Sequence, residues 1–319
     1  MISIVYIVIG LFLLVKGGDI LVKASTSIAR SLRLSPLVIG LTVIGFGTSM
    51  PELCVSAQAA LAKAPAISIG NVAGSNICNI ALILGLTAVI KPLRATHDML
   101  WRSIPFFGFA ILLMMFFAYT GKIERWMGSL MVVAMIVQVI MEIKLSRGRS
   151  NDGCEGTKPK MSLIKAIPLT VTSIAIMVWA SDLLVKGARV LAMCAGFKMG
   201  IDEAVMERLV ALTVVAVGTS LPELCASVMA ARKGETDMAI GNIVGSGIFN
   251  ILCVIGVSST ISPIENAWNP FWIDYAVELS LCILLWIFLS SHRMLQRWEG
   301  CILLSLYIVY MLFLYNTVF

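Results

Sequence analysis

Charge is what this chain has least of. Of its 319 residues only 13% are Asp, Glu, Lys or Arg, about half the share expected of a soluble domain. Histidine is nearly missing, with His97 and His292 alone, both near predicted helix ends beside Arg residues and read as interface residues. The eight Cys show no metal-finger or redox spacing, and most lie in apolar runs, where Cys behaves as a small hydrophobe. Cys154 stands in a polar loop without an evident partner, so no disulfide framework is expected. The N-terminus lacks a basic n-region and a cleavage site, and residues 1–24 read as a retained first helix.

Apolar residues make up the rest: 59% of the chain is hydrophobic and the mean hydropathy is +0.95. Apolar runs of about 18 residues or more recur from end to end. That describes an all-α polytopic membrane protein whose first partner is the lipid bilayer; a membrane β-barrel would show short alternating segments instead. The net charge of +6 does not argue for nucleic acid, because Lys and Arg cluster between apolar runs.

Ten transmembrane helices are expected, near residues 2–24, 35–61, 66–90, 100–119, 126–145, 162–193, 205–231, 236–261, 270–291 and 297–318. The one sizeable polar segment, Ser146–Lys160, has linker composition. It divides the chain into five-helix halves, 1–145 and 162–319, joined by a cytoplasmic linker at 146–161. The connections after the odd-numbered helices hold roughly two-thirds of the 24 Lys and Arg. Those connections should be cytoplasmic and both termini external.

The halves repeat each other. Residues 40–56 (GLTVIGFGTSMPELCVS) match 211–227 (ALTVVAVGTSLPELCAS) at roughly 11 of 17 positions. Residues 69–85 match 240–256 at roughly 9 of 17, with the same offset of 171. An odd number of helices per half turns the second half upside down, the inverted-repeat plan that puts a transport site at the midplane between halves.

The repeated motifs carry the chemistry. Glu52 and Glu223 sit in apolar surroundings, where an ionisable residue costs roughly 2.5 kcal/mol or more. Pro51 and Pro222 should break the second and seventh helices. Gly45, Ala216, Thr48 and Thr219 are then candidates to present backbone oxygens, with hydroxyls from Ser49 and Ser220. Asn71, Ser75 and Asn79 form a stripe at i, i+4, i+8, repeated by Asn242, Ser246 and Asn250. Taken alone, these stripes could equally be interhelical glue; the company of the Glu pair favours ligands. Gly70, Gly74, Gly241 and Gly245 have the spacing of close helix approach.

Two carboxylates among neutral oxygens make a hard-cation site, suited to Ca²⁺ or Na⁺. Paired carboxylates in a dry cavity also take up a proton, so H⁺ should compete. Asp19 and Asp182 stand four residues before Lys23 and Lys186 and read as local helix ion pairs. An enzyme would need a nucleophile–base pair or a metal triad, and no His or Lys accompanies the Glu motifs. A channel would usually need an oligomeric pore.

At the G-T-S-x-P-E and G-N-x-x-G-S motifs (Gly47–Glu52 and Gly70–Ser75, Gly218–Glu223 and Gly241–Ser246) the chain resembles the cation/calcium exchanger superfamily, in particular prokaryotic sodium/calcium exchangers. The resemblance implies Na⁺/Ca²⁺ antiport by alternating access, normally Ca²⁺ export, with the first and sixth helices sliding on a core of helices 2, 3, 7 and 8. It implies a metal set of Glu52, Glu223, Thr48 and Thr219. It adds backbone oxygens from Gly45 and Ala216, hydroxyls from Ser49, Ser220, Ser75 and Ser246, and amides from Asn79 and Asn250. It implies a plasma-membrane location, no cofactor beyond the transported Ca²⁺ and Na⁺, and no obligate protein partner. Asn250 stands where some relatives carry Asp, which weakens K⁺ co-transport. Asn76 has Gly247 as its counterpart and is not duplicated. A proton-coupled or broader cation antiporter is the alternative; it is disfavoured because Asn79 and Asn250 stand where proton-coupled members tend to carry acids.

Overall fold

The computed structural model describes residues 2–63, 66–148, 161–198, 216–269 and 271–318. It is almost entirely helical. The helices are α1 (Ser3–Leu32), α2 (Pro36–Thr48), α3 (Met50–Leu61), α4 (Ile67–Ile90), α5 (Met99–Tyr119), α6 (Arg125–Ser146), α7 (Leu163–Ala188), α8 (Ala216–Thr219), α9 (Leu221–Arg232), α10 (Thr236–Ile261), α11 (Trp272–His292) and α12 (Arg297–Asn316). Eight are long and apolar enough to cross a bilayer, and the bent pair α2–α3 adds a ninth span. The remaining expected span, the seventh near 205–231, includes residues 205–215, outside those described.

The first helix is longer than its apolar run. It continues past residue 24 to Leu32, because its polar residues find partners along the helix. Lys23 pairs with Asp19 at 2.7 Å, and the Ser27 hydroxyl donates to the Lys23 carbonyl at 3.0 Å. The helix stops at Arg33, whose φ of 53° is left-handed. Ser35 then caps α2, its hydroxyl accepting from the Val38 amide at 3.3 Å, and Pro36 occupies the first turn, where no N–H is needed.

Prolines shape the two broken helices as their position requires. Ser49 leaves helical geometry (φ −87°, ψ 11°), and Pro51 sits in the first turn of α3. The axes of α2 and α3 differ by 47°. Ser220 (φ −91°, ψ 7°) and Pro222 do the same between α8 and α9. Wide π-helical turns interrupt α2 at Gly40–Ile44, α4 at Cys78–Leu84 and α10 at Asn250–Ile255. Such turns often mark functional positions.

Helix α10 is the centre of the molecule, buried along most of its length. Small residues let α2 reach it. A Cβ on Gly245 would lie 2.3 Å from the Leu41 carbonyl oxygen, and one on Gly241 2.8 Å from that of Leu37. Among the described residues, a Cβ on Gly70 would lie 3.4 Å from the Phe271 ring and one on Gly74 would meet nothing within 4 Å. Helices α1 and α7 pack along each other, with backbone near-contacts of Gly10 on Ala180 and Gly187 on Ser3. Exposed apolar side chains such as Val8, Phe12, Val133, Val137, Val309 and Phe313 cover the perimeter, as a lipid-facing surface requires.

Two short antiparallel pairings, not anticipated from sequence, tie the halves. β1 (Leu93–Arg94) pairs with β4 (Met294–Leu295), and β2 (Lys122–Ile123) with β3 (Ile264–Glu265). Between β1 and β2 lies α5, 21 residues long, which at 1.5 Å per residue is about 30 Å. The two pairings therefore sit at opposite ends of a bilayer-crossing helix.

Candidate cation site

The two G-T-S-x-P-E breaks come together against α4 and α10. Glu52 and Glu223 open the first turns of α3 and α9 and are 1% and 0% exposed. Buried carboxyl groups need partners, and hydroxyls supply them. Ser49 donates to Glu223 Oε1 at 3.0 Å, and Ser75 donates to Glu52 Oε1 at 3.4 Å. The second oxygen of each, Oε2, has no partner among the described residues.

The stripe residues divide into two jobs. Asn71 donates to the Glu52 carbonyl at 3.2 Å and to Ser56 Oγ at 3.0 Å. Asn242 repeats this on the Glu223 carbonyl at 3.3 Å and Ser227 Oγ at 2.9 Å. These amides brace α3 on α4 and α9 on α10, so this end of each stripe is the interhelical glue. The other end is left open. Among the described residues the Ser220 hydroxyl, both amide atoms of Asn79 and Oδ1 of Asn250 are buried without a partner. Unsatisfied buried polar atoms are rare in folded proteins, and a bound ion is one of their ordinary explanations.

Several bonds cross between the halves. Besides Ser49 on Glu223, Ser246 donates to the Gly45 carbonyl at 3.1 Å. The Thr48 hydroxyl lies 3.4 Å from Asn242 Oδ1 and donates to Ile44 O at 3.1 Å. The Gly45 carbonyl, expected to face a cation, here also accepts the Ser49 amide at 3.2 Å. Thr219 is half-buried at the end of α8 and Ala216 begins that turn. The hydrogen bonds thus fall into two groups: Glu52 with Ser75, and Glu223 with Ser49, Gly45 and Ser246, which Thr48 joins through Asn242.

The donors are carboxylate, hydroxyl, amide and carbonyl oxygens. Among the described residues no three His, Cys, Asp or Glu side chains gather into a metal cluster. An all-oxygen set with two carboxylates suits a hard cation as cargo.

Sequence reasoning missed three buried carboxyl groups: Glu142, which pairs with Arg102, Glu299, which accepts the Gln296 amide at 2.7 Å, and Glu278. Glu278, 0% exposed on α11, accepts from Asn76 Nδ2 at 2.7 Å. The signal was available, since Glu278 interrupts the apolar run Tyr275–Leu285. It escaped because it lies outside the repeated motifs.

The Asp19–Lys23 and Asp182–Lys186 ion pairs both form, at 2.7 Å. Lys233, just past α9, adds a second partner for Asp19 at 2.8 Å.

Comparison with known proteins agrees with this architecture. The family model described as sodium/calcium exchanger protein matches residues 2–144 and 165–316. Sodium/calcium exchanger MaX1 of Methanosarcina acetivorans is 31% identical over 97% of this chain and 97% of its own. Inner membrane protein YrbG of Escherichia coli is 33% identical over 97% of this chain and 95% of its own. The solved structure of the sodium-calcium exchanger NCX_Mj, soaked with Na⁺ and Ca²⁺, superposes with a TM-score of 0.81 at 31% identity, covering 97% of both chains. The multi-pass membrane chain with two buried, half-satisfied Glu carboxyl groups belongs to the sodium/calcium exchanger protein family.

Proposed function

We propose that this protein is a Na⁺/Ca²⁺ antiporter of the plasma membrane that exports Ca²⁺ against Na⁺ entry by alternating access. The observation that carries the reading is the Glu52–Glu223 arrangement: each carboxyl group has one oxygen held by a hydroxyl and one left without a partner. One Ca²⁺ or two Na⁺ would balance two carboxylates, so the ions exclude each other and occupy the site in turn. Protons compete for the same oxygens.

The proposed ligands are Glu52, Glu223, Thr48, Thr219, Ser49, Ser220, Ser75, Ser246, Asn79, Asn250, Gly45 and Ala216. We further propose ten spans in two inverted five-helix units, 1–145 and 162–319, with both termini external. Strand pairing supports this: adding the repeat offset of 171 carries β1 onto β3, and subtracting it carries β4 to within one residue of β2, so the β1–β4 pair maps closely onto the β3–β2 pair, as a two-fold axis in the membrane plane would. The paired helices α1 and α7 are the elements to slide across the core, and Lys233 must release Asp19 when α1 moves.

The test is radioactive Ca²⁺ uptake into proteoliposomes loaded with Na⁺. Uptake that requires the outward Na⁺ gradient supports antiport. Uptake driven equally by a proton gradient without Na⁺ would overturn it in favour of proton coupling.

A further inference from the structure

The two amides assigned to the cation site are not held alike. Asn79 has neither amide atom bonded among the described residues. Its repeat counterpart Asn250 donates from Nδ2 to Asn76 Oδ1 at 3.0 Å. Asn76 in turn donates from Nδ2 to Glu278 Oε1 at 2.7 Å and to the Gly247 carbonyl at 3.4 Å. All three side chains are fully buried.

The order of donors in this chain has a consequence. An amide presents two N–H donors on one side and an acceptor oxygen on the other, whereas Glu278 Oε1 is an acceptor. Accepting from Asn76 turns the nitrogen of Asn76 towards Glu278 and its oxygen towards Asn250. That oxygen claims the nitrogen of Asn250. The oxygen of Asn250 is then the atom left over, buried and without a partner among the described residues. A cation ligand must be an oxygen, so the chain leaves Asn250 in the one flip state that can bind a cation.

The repeat supplies an internal control. Displacing Asn76 and Glu278 by 171 positions gives Gly247 and Phe107. Those two also meet: a Cβ on Gly247 would lie 2.4 Å from the Phe107 ring. One half of the molecule thus fills this position with an Asn–Glu pair, and the other with a glycine and an aromatic ring. The polar pair stands beside Asn250 alone.

We propose that Glu278 is a positioning residue for cation binding, acting through Asn76 to hold the Asn250 amide oxygen towards the ion. This rests on the antiport site proposed above. Glu278 itself touches Asn76 and not the ion.

The test is Ca²⁺ titration of the purified, detergent-solubilised chain by calorimetry, with Ca²⁺ uptake as a second readout. Glu278→Gln keeps an acceptor oxygen for Asn76 and should hold Ca²⁺ within about threefold of wild type. Glu278→Leu removes the acceptor, frees Asn76 to flip, and should weaken Ca²⁺ about tenfold or more. Asn250→Asp supplies a side chain with oxygens at both positions, which needs no orienting; in that background Glu278→Leu should have little further effect. A purely structural role would weaken the double variant as much as the single one.

Equal loss in Glu278→Gln and Glu278→Leu would overturn the relay in favour of a charge effect. Near-native affinity in Glu278→Leu would overturn it outright. If Glu278→Leu does not fold, the Asn76→Leu variant takes its place, with the same expected loss and the same rescue by Asn250→Asp. A wild-type chain that binds no Ca²⁺ removes the antiport reading and the relay together; a wild type that binds, with variants that sort otherwise, removes the relay alone.

Discussion

Glu223→Gln is the most informative single substitution. The carboxyl group is fully buried, and its Oε1 accepts the Ser49 hydroxyl at 3.0 Å. A glutamine amide oxygen can keep that bond, so Ser49 stays satisfied and the fold should be retained. The amide nitrogen must then stand where Oε2 now has no partner. Two N–H donors replace an anionic ligand there, and the ion loses both a coordinating oxygen and a charge. Interactions with a charged partner contribute about 1.5–3 kcal/mol each, and the misplaced donors add repulsion. The affinity for Ca²⁺ should fall by about two orders of magnitude or more, at roughly 1.4 kcal/mol per factor of ten. Calorimetric Ca²⁺ titration measures the affinity, and the melting temperature without added ions checks the fold. Binding within threefold of wild type at an unchanged melting temperature would refute the placement of the cation at Glu223. Loss of binding together with a collapsed melting temperature would show Glu223 to be structural.

Four other outcomes follow from the geometry. Ser49→Ala removes the hydroxyl that donates to Glu223 Oε1 at 3.0 Å, a loss of about 1–3 kcal/mol, and Ca²⁺ binding by titration should weaken about tenfold. Gly245→Val places a side chain against the Leu41 backbone, 2.3 Å from its oxygen at Cβ alone; thermal unfolding should show a cost of about 1–3 kcal/mol, and unchanged stability would refute the α2–α10 contact. Acidification should weaken Ca²⁺ binding by titration, because protons occupy the same carboxylate oxygens, and an affinity independent of pH would count against the paired carboxylates. Burial lowers the Lys233 ammonium below its ordinary 10.5, against the opposing bond to Asp19. The folded state is thus the poorer proton binder, and stability should rise as pH climbs from that lowered value towards 10.5, a rise that Lys233→Met abolishes in denaturation curves. Because Lys233 and Asp19 are about a quarter exposed, the pair itself should contribute only about 1 kcal/mol or less.

Much of this protein is legible in the order of its residues. Repeated apolar runs dictate helices in a bilayer, since only a structure that satisfies its own backbone is tolerated there. The matched motifs around Glu52 and Glu223 stand out because carboxyl groups and prolines are costly within such runs. Local rules also hold: Ser35 and Pro36 start α2 and Pro51 opens α3, as short-range backbone chemistry requires. What sequence spacing cannot supply is the identity of contacts between distant segments. Nothing local pairs Ser49 with Glu223, Ser246 with the Gly45 carbonyl, or β1 with β4, because each joins segments more than a hundred residues apart. The stripe Asn71–Ser75–Asn79 reads as uniform in sequence, yet packing engages Asn71 with α3 and leaves Asn79 open. Glu278 gains its meaning only from α11 lying against α4, which brings it to Asn76. The sequence by itself determined that this chain is a helical membrane protein with two buried carboxyl groups; the tertiary structure alone decided which oxygens remain free, because hydrogen bonds across 1–145 and 162–319 are satisfied only once the two segments pack.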